Sequence, residues 1–390
     1  MASNSNLSAA KSAKKDEFYT QYSDIEAEMN AYFEYNPDVF RDKTILLPCD
    51  DHEWSNFTKY FASNFDRFGI KKLISTSYAK SSGSRQLTLF EEFSPAFDSN
   101  KHAEHGKVFT VERTGGGGGI NGHKRIGIED IVLSGYLDGD GDFRSDEVTA
   151  LRDEADIIIT NPPFSLWRQF VAWVMEANKQ FIIVGNINAV TYKEVFPLIR
   201  DNKIWIGSSI HSGDRKFYVP DDYSLNAAGC GIDADGRRFI RVKGVRWYTN
   251  IDFKERHNDL LLDTMDHNLK FNKKLRKKLE KDYGIIEYPH YDNYDAIEVP
   301  FTDAIPLDYD GVMGVPITFL DKYNPEQFDI VSFRKGEDGK DLVFTRERES
   351  SAVLSYPCTT SIAGMIKNAE GKINGKPTYA RVTIKRKLSQ

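Results

Sequence analysis

A pattern typical of a buried strand ends in residues that can hold an amino group and a flat base. Residues 156–164 read DIIITNPPF, so a β-branched run stops at Asn161 and two prolines. Because proline cannot continue a sheet ladder, Asn161 and Phe164 should lie at the carboxyl end of a strand. Open α/β sheets bind their ligands at that edge. A strand followed by an ordinary turn is the alternative interpretation.

The candidate catalytic residues are Asn161, Pro162, Pro163 and Phe164. The Asn161 side-chain oxygen and the Pro162 carbonyl can both accept hydrogen bonds from one amino group, and we expect Asn161 to contact only that amine. The Phe164 ring can stack on a planar base. An Asn/Asp-Pro-Pro-aromatic sequence is typical of methyltransferases that modify exocyclic or amide nitrogens. The motif therefore predicts methyl transfer to nitrogen.

A second segment could hold the methyl donor. Thr44–Leu47 predicts the first strand, and Pro48, Cys49, Asp50 and Asp51 follow it. The loop after the first strand of a doubly wound sheet holds the cofactor. This loop lacks the glycines that are usual in methyltransferases. Its carboxylates nevertheless suit the amino group or the ribose hydroxyls of S-adenosylmethionine.

A third segment, Asp138–Phe143, alternates acidic residues with glycines. Its spacing resembles a calcium loop superficially, but the Gly-x5-Glu ending is missing. We therefore expect Asp142 to accept a hydrogen bond from the cofactor adenine amine and Phe143 to pack on the adenine ring. An exposed acidic turn is the alternative.

Around these motifs, strands and helices alternate up to about residue 255, which predicts an α/β fold with a doubly wound, mostly parallel Rossmann-like sheet. The predicted strands are 44–47, 72–76, 128–133, 157–160, 181–184, 204–206 and 245–248, the last closing the sheet. The predicted helices are 56–68, 166–177 and 191–201. Residues 79–124, with five consecutive glycines, should form a mobile surface insertion.

Composition limits the class of protein. The chain has 390 residues, 40% of them hydrophobic, which is enough for two domains. It has no apolar run of about 18 residues, and its start is polar, so neither a membrane span nor a signal peptide is expected. Its three cysteines are far apart, which favours a reducing cytoplasm and argues against a structural zinc site.

The net charge is −6, but the basic residues are clustered. Residues 270–281 hold seven basic residues and one acid, and residues 376–390 hold five basic residues and no acid. We expect 1–15 to be a disordered tail, 16–255 the methyltransferase domain and 256–390 a C-terminal target-recognition region that binds DNA. A solvated helix face is the alternative. The candidate DNA contacts are Arg144, Arg168, Lys273, Lys274, Lys277 and Lys278.

Over roughly residues 16 to 345, the chain resembles the EcoRI-type adenine-specific DNA methyltransferases. The resemblance lies in DEFYTQY from Asp16, CDD from Cys49, GDGDFRS from Gly139, TNPPFSL from Thr160, TYKE from Thr191, YDNYDAI from Tyr291 and GVMGVPITFL from Gly311. It implies that Phe18, Tyr19 and Thr20 belong to an N-terminal cofactor motif. It also implies that the glycine-free first loop is a family trait.

The resemblance further implies what the protein does. A monomeric enzyme, without a metal, would transfer the methyl group of S-adenosylmethionine to N6 of an adenine swung out of double-stranded DNA. A cognate restriction endonuclease would be encoded nearby, although a solitary methylase has the same sequence features. An RNA or protein-amide methyltransferase with the same motif, and a catalytically silent DNA-binding protein, are the alternatives.

Overall fold

The strand predicted at Thr44–Leu47 forms the middle of a mixed sheet. The computed structural model describes residues 18–79, 94–102, 104–113, 134–219, 223, 225, 229–334 and 371–387. Several predictions lie outside these ranges: the N-terminal tail, Asp16 and Glu17 of the N-terminal motif, most of the glycine-rich insertion, the strand at 128–133, and residues 335–345 at the end of the resemblance.

The described residues divide into two compact units, 18–186 with 204–254, and 187–203 with 255–387. The strands of the first unit are β1 (Thr44–Leu47), β2 (Lys72–Ser77), β3 (Lys107–Glu112), β4 (Gly135–Tyr136), β5 (Ile157–Thr160), β6 (Gln180–Asn186), β7 (Trp205–Ile206), β8 (Asp214–Tyr218), β9 (Gly231–Ile232), β10 (Arg238–Lys243) and β11 (Val245–Thr249). Its helices are α1 (Tyr22–Tyr35), α2 (Asn56–Ser63), α3 (Phe65–Phe68), α4 (Asp146–Glu154) and α5 (Trp167–Glu176).

The main sheet has the strand order β4-β3-β2-β1-β5-β6-β11-β7. The pairs β1–β2, β1–β5 and β5–β6 are parallel, while β3 and β11 run antiparallel to both of their neighbours. Six of these eight strands therefore point the same way, which confirms the predicted mostly parallel sheet. The chain adds β2 on one side of β1 and later β5 on the other, so the strand order reverses between β1 and β5. Ligands of such sheets bind at this reversal.

Three predicted elements differ in detail. The predicted helix 56–68 is broken at Asn64, whose side chain donates to the carbonyl of Tyr60, so that α2 and α3 are separate. The predicted helix 191–201 is only the short α6 (Phe196–Arg200), which begins around Pro197 because proline fits a first helical turn. Strand β11 does not close the sheet, since β7 pairs on its outer side.

The aromatic residues of the predicted helix 56–68 are buried in the core, as their helical spacing predicted. Phe57, Tyr60, Phe61, Phe65 and Phe68 are all at most 1% exposed. They join a cluster that also contains residues of α1, β1 and β5. All four residues of β5 are buried, which explains the continuous apolar run before the Asn-Pro-Pro motif.

A second sheet in this unit was not predicted. Strands β8, β10 and β9 pair antiparallel in the order β8-β10-β9. The backbone of Tyr19 adds to its edge, exchanging two hydrogen bonds with Tyr218 at 2.9 and 3.1 Å. Phe217, Ile240 and Val242 of this sheet are buried in the same core cluster.

The second unit includes residues 187–203, a stretch that the sequence placed in the 16–255 domain. Besides α6, its helices are α7 (Met265–Phe271) and α8 (Lys273–Tyr283). Its strands β12 (Ile297–Glu298), β13 (Met313–Pro316), β17 (Arg381–Arg386) and β14 (Phe328–Arg334) form one sheet in that order, and β15 (Lys372–Ile373) pairs with β16 (Lys376–Pro377). Inside this unit the fully buried Glu298 pairs with Arg381 through Nε at 3.0 Å.

Candidate active site

A cavity of about 250 Å³ lies at the carboxyl ends of β1, β2 and β5, beside the reversal of strand order. It brings together all nine residues that the sequence assigned to the cofactor: Phe18, Tyr19, Thr20, Pro48, Cys49, Asp50, Asp51, Asp142 and Phe143. Of the four candidate catalytic residues, Asn161 and Pro163 line the cavity, whereas Pro162 and Phe164 do not. The first loop and the Asn-Pro-Pro motif therefore share one pocket.

The two ends of the Asn161 amide have different surroundings. Its Nδ2 donates to the main-chain carbonyl of Phe18 at 2.6 Å. Its Oδ1 is buried and has no hydrogen-bond partner among the described residues. A buried acceptor without a partner costs about 1–3 kcal/mol, so this oxygen suits an incoming donor. The expectation that Asn161 contacts only the target amine is wrong, because its amide nitrogen also binds Phe18.

Phe164 belongs to an aromatic cluster beside the cavity. Its ring centre lies 5.7 Å from that of Phe18 and 6.5 Å from that of Phe217, whose plane is perpendicular to it. Phe18 in turn packs against Phe217 and Tyr223, both at 6.1 Å. Phe164 remains only partly buried.

The residues Phe18–Thr20 form a short extended strap along the cavity. Tyr19 pairs with Tyr218, and the carbonyl of Thr20 accepts from Asn56 Nδ2 at 2.7 Å. The hydroxyl oxygen of Thr20 is buried without a partner among the described residues, although it lines the cavity. The strap therefore presents a second polar atom that a bound ligand would satisfy.

Asp50 mainly holds the site together. It is 5% exposed, and its Oδ1 and Oδ2 accept from the hydroxyls of Ser55 and Thr160, both at 2.6 Å. Ser55 also caps α2 by accepting from the amide of Phe57. Asp50 thus joins the loop after β1 to the end of β5 and to the start of α2.

Asp51 is also buried, at 6% exposed, but it faces a cation. Lys107 Nζ of β3 lies 3.7 Å from its Oδ2, and the Glu53 amide donates to Oδ1 at 3.0 Å. Its carbonyl accepts from the amide of Ser55 at 2.7 Å. A buried carboxylate needs such partners, because desolvation otherwise disfavours its charged form.

Asp142 is paired with Arg144. The guanidinium donates to Oδ1 at 2.9 Å and to Oδ2 at 2.5 Å, and these bonds lower the pKa of Asp142. The Phe143 ring is only 3% exposed and packs against Phe170 at 5.0 Å and Trp173 at 5.5 Å. That packing takes up most of the ring that the sequence assigned to the cofactor adenine. Phe143 also lines the cavity, but only with the part of its ring that Phe170 and Trp173 leave uncovered.

Close backbone packing holds the acidic loop against β2. Gly141 has φ +82°, and a Cβ there would lie 2.3 Å from the carbonyl oxygen of Ser77. A Cβ on Gly106 would lie 2.7 Å from the Cα of Gly141. Glu147 of α4 accepts from the amides of Asp138 and Gly139 at 3.0 and 3.2 Å. Gly141 and Gly106 therefore allow the chain to pass close to the end of β2.

Six lining residues were not among the candidate cofactor, catalytic or DNA-contact residues: Ser55, Ser77, Tyr78, Gly141, Ser165 and Leu166. Ser77 and Tyr78 directly follow the second predicted strand, whose carboxyl end lies at the same sheet edge, and this rule would have found them. Ser165 and Leu166 follow the Asn-Pro-Pro-Phe motif directly. Arg144 also lines the cavity, although the sequence assigned it to DNA.

The other candidate DNA contacts lie elsewhere on their units. Arg168 is exposed on α5 of the first unit. On α8 of the second unit, Lys274 Nζ lies 3.9 Å from the centre of the Phe301 ring, and Lys278 pairs with Asp282 at 2.6 Å. Lys273 and Lys277 are exposed, one turn apart, on the side opposite to the buried Leu275 and Leu279. The four lysines are thus not equivalent.

Among the residues that the structure describes, no group of three or more histidine, cysteine, aspartate or glutamate side chains could hold a metal ion. None of the helices in those ranges has the length and apolar character to cross a membrane.

Known proteins resemble the chain along almost its whole length. The family model described as "Adenine-specific methyltransferase EcoRI" matches residues 6–387. The Type II methyltransferase M.EcoRI of Escherichia coli is 41% identical over 389 residues, covering 100% of this chain and 98% of that protein. M.MpnI of Mycoplasma pneumoniae is 30% identical and M.MgeORF184P of Mycoplasma genitalium is 31% identical, each covering 97% of both proteins. No solved structure shows a significant match.

Proposed function

Because this chain belongs to the EcoRI family of adenine-specific methyltransferases, we propose that it transfers a methyl group from S-adenosylmethionine to N6 of an adenine in duplex DNA. The observation that carries the proposal is the partnerless Oδ1 of Asn161, which is buried beside the cavity lined by the nine candidate cofactor residues. The type II names of the relatives support a role in restriction–modification, in which methylation protects DNA from an endonuclease.

The residues of the cavity fit S-adenosylmethionine, which would supply an activated methyl group on its sulfonium. Asp51 and the Thr20 hydroxyl offer acceptors for the amino group or the ribose hydroxyls. Asp142 offers an acceptor for the adenine amine, provided that Arg144 shares its carboxylate.

Target capture would depend on the Asn-Pro-Pro-Phe residues. The target base must leave the duplex, and the half-buried Phe164 provides a face on which it stacks. Asn161 Oδ1 and the Pro162 carbonyl accept the two amine hydrogens, which draws the nitrogen lone pair out of the ring. These contacts orient the amine, and holding the two reactants in line supplies much of the rate gain. Asn161 and Pro162 would hold this nitrogen for the methyl group that S-adenosylmethionine would supply as its sulfonium becomes a thioether, and the displaced amine proton would pass to water.

The test is methyl transfer from radiolabelled S-adenosylmethionine to plasmid DNA, with detection of N6-methyladenine. Wild type should label duplex DNA and should not label RNA or protein. Asn161→Ala should lose about 100-fold or more of the rate, as when a preorganised polar contact is removed from other active sites. Its cofactor affinity, measured by calorimetry, should fall far less, because Asn161 supports the strap only through Phe18. Labelling of RNA alone would instead favour an RNA methyltransferase.

A further inference from the structure

The Asn161 amide can face Phe18 in only one way. A carbonyl oxygen accepts hydrogen bonds and cannot donate them, so the group lying 2.6 Å from the Phe18 oxygen must be the NH₂ end. This contact leaves Oδ1 as the other end of the amide of a cavity-lining residue, and Oδ1 is buried and has no partner among the described residues. The main chain of Phe18 therefore decides which end of Asn161 meets the target.

The Phe18 carbonyl is itself held from several sides. The next residue, Tyr19, exchanges two backbone hydrogen bonds with Tyr218. Asn56, which does not line the cavity, holds the carbonyl of Thr20 at 2.7 Å. The Phe18 ring is 4% exposed and packs against Phe164. A carbonyl supported in this way can act as a rigid reference for the amide.

The same strap lines the cofactor cavity through all three of its residues. One side of the strap therefore contacts the proposed cofactor, and its Phe18 carbonyl contacts the proposed target-binding residue. A loosened strap would disturb both, whereas a loosened Asn161 side chain would disturb mainly the target.

We propose that the Phe18–Thr20 strap is a positioning element for methyl transfer, and that the Asn161 NH₂ group bonded to Phe18 is as necessary as its Oδ1. This inference rests on the proposed function. The first position of the motif, which is Asn161 here, can be asparagine or aspartate. In this chain the two residues are not interchangeable, because an ionised aspartate has no hydrogen to donate to the Phe18 carbonyl.

An aspartate at this position has a distinctive pH dependence. As a carboxylate, it would place a negative oxygen against the Phe18 carbonyl in a buried site, and both burial and this repulsion raise its pKa. As a carboxylic acid, its O–H donates to the Phe18 carbonyl, while its C=O accepts from the target amine. The protonated acid thus reproduces both contacts of Asn161, and falling pH should restore activity.

The decisive experiment compares Asn161→Asp with wild type at each pH from about 8 down to about 5.5, a range that lies above the ordinary aspartate pKa. We expect the ratio of kcat values, variant to wild type, to rise about tenfold for each unit by which the pH falls, until the introduced acid is fully protonated. Taking the ratio cancels titrations common to both enzymes. A ratio that stays low and flat with pH would overturn the inference. So would near-wild-type activity of the variant that persists up to about pH 10, above the range that burial gives to carboxyl groups.

Asn186→Asp is the matched control. Asn186 also donates through Nδ2 to a main-chain carbonyl, that of Lys243 at 2.8 Å, but it does not line the cavity. Its variant should keep a kcat ratio that does not change with pH. A ratio that rises as steeply as that of Asn161→Asp would show a general effect of aspartate on folding, and would overturn the assignment to the strap.

A second variant tests the strap from its other end. Asn56→Ala removes the support of the Thr20 carbonyl, so we expect both a weaker S-adenosylmethionine affinity, by calorimetry, and a lower kcat. Unchanged values for both in a folded protein would contradict the inference. Failure of the proposed function is distinguishable, because wild type itself would then not methylate adenine at any pH.

Discussion

The hydroxyl of Thr160, the last residue of β5, donates to Oδ2 of Asp50 at 2.6 Å, across 110 residues of sequence. Both groups are buried, and the bond joins β5 to the loop after β1. The spacing between the candidate catalytic residues and the cofactor loop therefore depends on a polar contact as well as on the β1–β5 ladder.

Thr160→Val should weaken this link. The valine keeps the shape of the side chain but leaves a buried carboxylate oxygen short of one donor, which costs about 1–3 kcal/mol. We expect lower stability in denaturant unfolding and weaker S-adenosylmethionine binding in calorimetry. Thr249→Val is the control, since Thr249 is equally buried and donates to the Phe181 carbonyl in β6. It should lose stability without losing cofactor affinity. Equal affinity losses in both variants would contradict a local role for Thr160.

Gly141→Ala should disrupt the acidic loop. Its φ of +82° is unfavourable for alanine, and the added Cβ would meet the Ser77 carbonyl at 2.3 Å. Such strain costs of order 1–3 kcal/mol, and we expect both a lower melting temperature and weaker cofactor binding. Gly139→Ala is the control, because its nearest neighbour would be the Glu147 carboxylate at 4.0 Å. If Gly139→Ala proved as harmful, the explanation by close packing would fail.

Replacing Asp142 and replacing Arg144 should have different effects on the affinity for S-adenosylmethionine. Asp142→Ala removes the proposed acceptor for the cofactor adenine and should weaken S-adenosylmethionine binding by about 1–3 kcal/mol. Arg144→Ala leaves the carboxylate available, so its affinity should stay near that of wild type. Calorimetric titration of both variants decides, and equal losses would show that Asp142 acts only by holding Arg144.

Phe143→Ala should act mainly on stability. The ring fills a space between Phe170 and Trp173, so its removal should cost about 3–5 kcal/mol in unfolding free energy. Denaturant unfolding measures this loss. A large loss of cofactor affinity at unchanged stability would instead restore the stacking role that the sequence predicted.

The lysines of α8 should divide into two pairs. Replacing Lys273 and Lys277 with glutamine should weaken binding to all duplexes and lower the slope of log affinity against log salt by about 2, if both contact phosphate. Replacing Lys274 and Lys278 is the matched control, because Lys274 packs on the Phe301 ring and Lys278 pairs with Asp282. Identical slopes for wild type and both double variants would show that α8 presents a solvated face.

The local sequence predicts where the strands of this sheet end, but not where the side chains beyond them point. The strand ends at Leu47 and Thr160 are visible as apolar runs that stop at prolines, and they correctly placed Asp50, Asp51 and Asn161 at one sheet edge. The direction of a side chain is not visible in this way. Phe143 turns into the core against Phe170 and Trp173, and Asp50 bonds to Thr160, because of neighbours far away in sequence.

The small β8-β10-β9 sheet was missed for a related reason. Its strands are short, and β9 has only two residues. Its pairing with Tyr19 joins positions about two hundred residues apart, and no local pattern predicts such a contact. Yet this pairing supports the strap whose Phe18 carbonyl binds Asn161, so a contact that the sequence does not predict helps to position a residue of the Asn-Pro-Pro-Phe motif.

The strand order also indicates where the protein tolerates remodelling. Between β2 and β5 the chain makes an excursion to the sheet edge, and its two limbs meet again where the Ala79 amide donates to the Asp140 carbonyl at 2.6 Å. Farther out, β3 and the edge strand β4 are antiparallel neighbours, joined again by the Ser134 amide, which donates to the Val108 carbonyl at 2.9 Å. These contacts set the spacing of the limbs at two levels, the inner one next to the cavity residues Tyr78 and Gly141 and the outer one at the sheet edge. A reporter or tethering module grafted onto this edge of the enzyme should therefore leave the inner contact in place.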